Sequence, residues 1–327
     1  MNVLSLFDGM SCGRIALERA GIKVQTYLAS EIDKYAMSVS KKNYSDIIQV
    51  GNVSNLSYKN GILSGDFGSK EIKIDLLIGG SPCQGFSMAG KQVAFDDPRS
   101  KLYFEYKRIL DEITAENPEV KFLLENVKMK KEHKNFITSN LGVEPITINS
   151  SLVSAQNRYR IYWTNIEGVI QPKDKLIVLE DILEGSVEEK YFIKDGRLKW
   201  LNEFGEVKVK DDYIAFSPVK AKCLTVRSEP SWNTTYILQW PHGTNKGGMR
   251  ALDGETPAMT TSLWASNNLV LTEGMVRRLT PIECERLQTV PDGYTDSVSD
   301  TQRYRMLGNG WTVDVIAHIF SCIENTE

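Results

Sequence analysis

Between Asn2 and Asn126 short apolar runs alternate with segments whose apolar positions recur every three or four residues. Asn2–Phe7 predicts a buried strand, followed by the glycine turn Asp8-Gly9-Met10-Ser11-Cys12-Gly13 and a helix over Arg14–Ala20 that Gly21 ends. Val24–Ser30 predicts a second strand with Glu31 at its carboxyl end, and Asp33 is placed to cap a helix reaching about Lys42. A third strand is expected over Ile47–Val50, ending at Gly51-Asn52. The apolar run Ile74–Ile78 stops abruptly in glycines and delivers Ser81-Pro82-Cys83-Gln84 at the end of a fourth. Ser100–Thr114 predicts a helix with Leu102, Tyr103, Tyr106, Ile109, Leu110 and Ile113 on one face, and Val120–Leu124 a fifth strand ending at Glu125-Asn126. Strands and helices alternating at this spacing predict an α/β fold, a doubly wound and mostly parallel sheet with right-handed crossovers.

Phe7, Glu31, Asn52, Cys83 and Glu125 all fall at predicted strand carboxyl ends. In open α/β sheets that edge gathers ligands and reacting groups. Cys83 there is either a nucleophile, if its pKa is lowered or a base assists, or a small buried hydrophobe.

From about Glu167 to Thr261 the alternation breaks down into short β-like runs such as Tyr213–Phe216, Leu224–Arg227 and Thr234–Leu238, with Trp200, Trp232 and Trp240 among the turns. This predicts a smaller, loop-rich, partly β module. Helix-forming sequence returns from Arg277, and Trp311–Ile323 predicts a closing helix. The expected organisation is one domain built from 1–166 and 263–327, interrupted by a second over 167–262.

Five scattered cysteines without a Cys-x-x-Cys pair, and three dispersed histidines, argue against a disulfide framework or zinc site, so no metal is expected. The net charge of -3 does not announce a nucleic-acid partner, but a local basic cleft suffices to meet phosphates. Lys128, Lys130, Lys131 and Lys134, then Lys220, Lys222, Arg227, Lys246 and Arg250, are candidates for such a cleft or for solvated faces. No apolar stretch approaches the roughly 20 residues of a membrane span, and Met1–Phe7 lacks the basic start of a signal peptide. The expectation is no membrane partner and a cytoplasmic location, nucleoid-associated in a bacterium.

Six segments carry a resemblance in one fixed order: Phe7-Asp8-Gly9 with Gly13; Pro82-Cys83-Gln84; Glu125-Asn126-Val127; Gln156-Asn157-Arg158-Tyr159-Arg160; Arg278-Leu279-Thr280-Pro281 with Glu283, Arg286-Leu287-Gln288 and Pro291-Asp292; and Gly308-Asn309-Gly310. Each is common alone, but together they resemble the cytosine-C5 DNA methyltransferases, across nearly the whole chain except its middle. The resemblance implies a Rossmann-like class I methyltransferase sheet with a target-recognition domain over 167–262, and catalysis by Cys83, Glu125, Arg158 and Arg160. Cytosine C5 is a poor nucleophile, so the family's route adds a thiolate to C6, here from Cys83. Glu125 would donate toward N3 as charge develops there, with Arg160 and the neighbouring Arg158 orienting it and the base oxygen.

For a cofactor, Gly9 and Gly13 allow close backbone approach, and the absence of Gly-x-Gly-x-x-Gly argues against a dinucleotide. The resemblance implies S-adenosylmethionine (S-adenosyl-L-methionine), with Phe7 on the adenine and Glu31 accepting from the ribose. Asp8, Ser11, Ile32, Asn52, Val53, Pro82, Leu102, Asn309, Gly310 and Trp311 are implied to complete the site. Asn52 departs from the aspartate common in the family, although an amide oxygen still accepts. The partner implied is double-stranded DNA, contacted by Ser87, Lys91, Gln92, Lys220, Lys222 and Arg227, with Gly85–Pro98 closing over a flipped base. Lys101-Leu102-Tyr103-Phe104-Glu105-Tyr106, with Ile78-Gly79-Gly80-Ser81-Pro82-Cys83 and Trp311 after Asn309-Gly310, resembles the animal de novo branch, whose aromatic helix supports self-association and so implies a homodimer, whereas the long middle module is similar to bacterial or phage enzymes. Alternatives are an RNA methyltransferase, whose Cys-Phe-Thr signature is absent, and a non-catalytic DNA-binding relative, for which loss of Cys83 would be typical.

Overall fold

A computed structural model describes residues 1–81, 101–193, 205–210, 213–218, 236–239, 248–251, 256–257, 269–272 and 275–323. The chain divides into two compact units, one of 1–153, 159–174 and 310–327, the other of 154–158 and 175–309.

The first unit opens with β1 (Asn2–Leu6), α1 (Cys12–Arg19), β2 (Thr26–Ser30), α2 (Lys34–Asn43) and β3 (Ile48–Gln49). A three-stranded antiparallel meander follows, β4 (Ser57–Lys59), β5 (Ile62–Gly65) and β6 (Gly68–Glu71). The chain then returns through β7 (Leu76–Gly79), α3 (Lys101–Glu116), β8 (Lys121–Val127), α4 (Lys131–Leu141), β9 (Ile146–Asn149) and, after the short β10 (Gln156–Asn157) of the second unit, β11 (Tyr159–Thr164). The seven-stranded sheet runs β3-β2-β1-β7-β8-β11-β9. Its first five strands are parallel, while β11 lies antiparallel to both β8 and β9. This is the doubly wound, mostly parallel sheet expected from the alternation of elements.

The chain runs outward from β1 to β3 and comes back on the other side of β1 at β7, so the strand order switches between β1 and β7. Leu6 and Gly79 are in register at the ends of these strands, at the switch point where open α/β sheets bind ligands. Four consecutive residues of β1 and all four of β7 are buried, as parallel strands covered on both faces must be. From α3, Tyr103, Tyr106, Ile109, Leu110 and Ile113 enter a core with Leu4, Leu28, Leu77, Leu124 and Trp163. Each such side chain contributes about 1.5–3 kcal/mol when fully buried. The Asp33 cap is formed, its carboxylate accepting from Tyr35 N and Ala36 N. The fifth predicted strand is longer than its apolar run, so Glu125 and Asn126 lie inside β8 rather than beyond it. In the same unit α8 (Val313–Phe320) packs against α1, with Arg19 Nη1 2.6 Å from Asp314 Oδ1.

The second unit holds α5 (Leu179–Ile182), α6 (Pro281–Leu287) and α7 (Asp300–Asn309). Among its described residues are β12 (Gly205–Lys210), β13 (Tyr213–Pro218), β14 (Tyr236–Gln239), β15 (Gly248–Ala251), β17 (Leu269–Thr272) and β18 (Met275–Arg278). These form an antiparallel sheet in the order β12-β13-β18-β17-β14-β15, and β16 (Thr256–Pro257) pairs with β10. A partly β middle module was expected, and these strands supply one. Thr280 and Glu283 make a capping box at the start of α6, and Glu283 also takes a bidentate pair from Arg277, both side chains almost fully buried. Breaking such a pair leaves an uncompensated buried charge, at a cost of about 3–5 kcal/mol.

Candidate active site

Glu125 faces Tyr162 across the β8–β11 ladder, and Arg160 faces Val127. The offset of two residues puts Glu125 and Arg160 diagonally on one face. Arg160 Nε reaches Glu125 Oε1 at 2.9 Å, with the two side chains only 16% and 12% exposed. Arg160 also donates from Nη1 to its neighbour's carbonyl, Tyr159 O, at 2.9 Å. The guanidinium therefore leaves Glu125 Oε2 turned toward the end of β7: a Cβ placed on Gly80 would meet that oxygen at 3.0 Å and the indole Nε1 of Trp311 at 2.9 Å. Only glycine lets the backbone come this close.

The neighbouring residue of the pair fixes the approach to the thiol segment. Asn126 is buried and donates from Nδ2 to Ser81 O and Oγ at 3.4 and 3.3 Å, while its Oδ1 accepts from Val127 N. Ser81 is thus held at the end of β7, one residue before Pro82. Pro82 and Cys83 themselves, with Ser87, Lys91, Gln92, Lys220, Lys222 and Arg227, lie outside the described residues.

On the other side of the switch point the β1–α1 turn has an unusual backbone. Phe7, Gly9 and Ser11 all have positive φ, 57°, 60° and 64°, a conformation costly for the two side-chain-bearing residues and concentrated at functional sites. The turn is held by Asp8, whose Oδ1 accepts from Tyr27 OH at 2.7 Å and whose Oδ2 accepts from Ser11 Oγ at 2.5 Å. Burial lifts the Asp8 carboxyl to about 6 against the lowering effect of hydrogen bonds from Ser11, Ser5 and Tyr27, and the charge of Glu31 adds to the rise. Gly13 closes the far end of the turn; a Cβ there would collide with Ile78 and the Tyr27 hydroxyl.

Glu31 sits beside this turn with its carboxylate fixed by three backbone amides: Gly9 N on Oε2 at 2.8 Å, and Ile32 N and Asp33 N on Oε1 at 2.7 and 2.8 Å. A carboxylate offers about four acceptor positions, so one remains for a ligand hydroxyl. Ile32 next to it is 74% exposed, a large apolar side chain available to a flat ring. Asn52 Oδ1 accepts from Ser54 N at 3.1 Å, capping a single 3-10 turn, and keeps one lone pair. Among the described residues nothing lies within 4 Å of a Cβ built on Gly9, so they leave space at the turn. An adenosyl group, with a ring to stack and ribose hydroxyls to donate, fits this edge.

The remaining implied residues are distributed unevenly. Phe7 and Leu102 are partly buried against the core and Val53 is 3% exposed within it. Gly310 and Trp311 belong to the first unit, whereas Asn309 ends α7 in the second. Arg158 also belongs to the second unit, buried, where its Nη2 donates to Gly308 O at 3.2 Å. Beside it Gln156 donates to Leu287 O at 3.2 Å and Ser154 Oγ to the same carbonyl at 2.6 Å. Of the two arginines it is Arg160 that carries the ion pair with Glu125. Motif order alone did not separate their surroundings. Asn126, Gly80 and Tyr27 were not singled out as site residues, and their roles depend on pairings between distant segments.

A family profile described as C-5 cytosine-specific DNA methylase matches residues 1–325. The chain is 30% identical over 346 residues to the type II methyltransferase M.HpaII of Haemophilus parainfluenzae, spanning 96% of this chain and 86% of that protein. It is 29% identical over 338 residues to the type II methyltransferase M1.ScrFI of Lactococcus lactis subsp. cremoris, spanning 96% of this chain and 75% of that one. Among solved structures the Entamoeba histolytica methyltransferase EhMeth superposes with a TM-score of 0.69 at 19% identity, over 98% of this chain and 97% of the other. That superposition supports the fold, and the profile extends to the chemistry. The chain belongs to the C-5 cytosine-specific DNA methylase family, enzymes that take their methyl group from S-adenosylmethionine.

Proposed function

We propose that the chain methylates C5 of cytosine within a specific sequence of double-stranded DNA, through a covalent bond from Cys83 to C6 of a base swung out of the duplex. The observation that carries this reading is the Glu125–Arg160 pair at 2.9 Å, with Glu125 Oε2 turned to the glycine that leads into Ser81-Pro82-Cys83. A base that Cys83 attacks would, on this reading, lie against the carboxyl group of β8. S-adenosylmethionine, when bound, supplies an electrophilic methyl group.

The chain's own residues do the rest. The Cys83 thiolate adds to C6, and the displaced electron pair moves toward C5 and the N3–C4 side of the ring. Glu125 donates at N3, where that charge would otherwise accumulate, and Arg160 holds the carboxyl group in place. Once C5 carries the methyl group, water or a base takes the C5 proton, the C6–S bond breaks to return the thiolate, and the proton at N3 goes back to Glu125. Glu31, Ile32 and Asn52 bind the adenosyl portion, and the Phe7–Ser11 turn leaves room for it. C6 is out of reach in a stacked duplex, so the base must be flipped. Residues 167–262 are assigned to choosing the target sequence. Of the α3 aromatics, Tyr103 and Tyr106 are core, and Phe104, 40% exposed, is the one a second copy would meet in a homodimer.

The test is transfer of labelled methyl from S-adenosylmethionine to duplex DNA, single-stranded DNA and transfer RNA in parallel. Label in duplex DNA, lost with Cys83→Ala, supports the reading. Label entering RNA alone would transfer the assignment to RNA, and none anywhere would favour a non-catalytic relative.

A further inference from the structure

The lysines that follow β8 form an electrostatic arrangement that the fold itself does not use. Lys128, Lys130, Lys131 and Lys134 occur within seven residues of a chain whose overall net charge is -3, with Glu132 the one acid among them. Lys128 is three residues beyond Glu125, hence within about 11 Å of it along the chain, and Lys131 within about 22 Å. The backbone between them is fixed by Met129, which is buried, with exposed Lys128 and partly exposed Lys130 on either side. Among the described residues, none pairs with or hydrogen-bonds to any of the four ammoniums.

The same lysines sit at the wrong end of a helix. Lys130 is the N-cap of α4 and makes no side-chain capping bond, Lys131 is its first residue and Lys134 its fourth, while the last turn carries no base at all. Cations near a helix N-terminus oppose the macrodipole, and Lys130 and Lys134 are a repulsive i,i+4 pair. Each choice costs stability with no internal partner to offset it. A local rule broken repeatedly in one place marks a functional surface. The ammoniums, not the helix terminus, carry the positive charge.

We infer that Lys128, Lys130, Lys131 and Lys134 form a contact surface for the phosphate backbone of duplex DNA, next to the Glu125–Arg160 pair. The inference rests on the proposed action on DNA. Phosphate contacts position a duplex without reading its sequence. The surface would therefore hold the substrate in place while other residues select the site.

The experiment uses the full chain and mixed-sequence duplex DNA, because this kind of contact is independent of sequence. Anisotropy titrations across a range of salt give the slope of log affinity against log salt for the wild type and for Lys128→Gln/Lys130→Gln/Lys131→Gln/Lys134→Gln. Each phosphate contact contributes about 0.9 to that slope, so the four-fold variant should lose about two to four and bind roughly tenfold or more weakly at low salt. Four Lys→Arg substitutions should retain the wild-type slope. The glutamine variant should melt no lower than wild type, because it removes charges that oppose the dipole. Single-turnover methylation by the glutamine variant should need a higher DNA concentration to reach half its maximal rate. An unchanged slope and affinity for duplex DNA in the glutamine variant would overturn the inference. Failure of the wild type to methylate DNA would refute the proposed function, and the binding measurement would still report on the surface.

Discussion

Arg160 and Glu125 meet across an antiparallel pair of strands, Nε to Oε1 at 2.9 Å, although 35 residues separate them in the chain. The separation follows from their numbers, 160 less 125. The pair exists because β11 runs back along β8, so that a two-residue offset places both side chains on one face.

Removing the arginine strands a mostly buried carboxylate. Arg160→Ala is expected to lower kcat about a hundredfold, the scale on which a positioned donor acts, and to destabilise the unit by about 2 kcal/mol, below the range for a fully buried pair. Arg160→Lys restores the charge without the planar fork and should recover stability more than rate. Steady-state kinetics and thermal melting of the two variants separate these effects; equal activity in all three proteins would contradict the role assigned to the pair.

Gly80→Ala should disturb Trp311 and Glu125 together, because its methyl group would lie 2.9 and 3.0 Å from them. Overpacking of this kind costs about 1–3 kcal/mol. The expected outcome is a fall in kcat/KM of more than about tenfold. Gly61→Ala is the control: at φ 72° it is strained but has no atom of the described residues within 4 Å of its Cβ, so it should lower Tm and leave kcat unchanged.

Asp8 gives a pH signature. Its folded carboxyl titrates at about 6, above the ordinary 3.8, so the native state holds the proton more tightly than the unfolded chain. Stability from this group is therefore present at low pH and declines as pH rises from about 4 to about 6, by at most about 3 kcal/mol. Asp8→Asn removes the penalty on the charged form. It should melt higher than wild type at pH 7.5, by about 2–4 °C per kcal/mol recovered, and the advantage should shrink toward pH 4. An advantage that grows on acidification would contradict the assignment.

Much of the first unit was legible because local patterns agreed with the final fold. The β1–turn–α1 segment, the Asp33 cap and the three-four face of α3 are short-range signals, and each appears in the structure. The meander over 57–71 was legible but overlooked. Asn60-Gly61 is a hairpin signal, and both residues have positive φ, 52° and 72°, as a primed turn requires. Thr280 and Glu283 likewise spell a capping box in the sequence. Other features had no local signature. The contact of Gly80 with Trp311, the hold of Asn126 on Ser81 and the antiparallel return of β11 depend on which strands become neighbours. The same holds for Arg158 and Arg160, two residues apart in the chain and assigned to different units.

The central claim is that Cys83 attacks the base whose ring faces Glu125, and trapping that bond tests it most directly. Duplex DNA in which cytosine carries fluorine at C5 cannot lose that substituent as a cation, so the sulfur–C6 bond should persist once methyl transfer has occurred. With S-adenosylmethionine the wild type should form a protein–DNA adduct that survives denaturation, and peptide mapping should place it at Cys83, with none from Cys83→Ala. An adduct of equal yield in Cys83→Ala, or methylation of ordinary duplex DNA by that variant, would contradict the account.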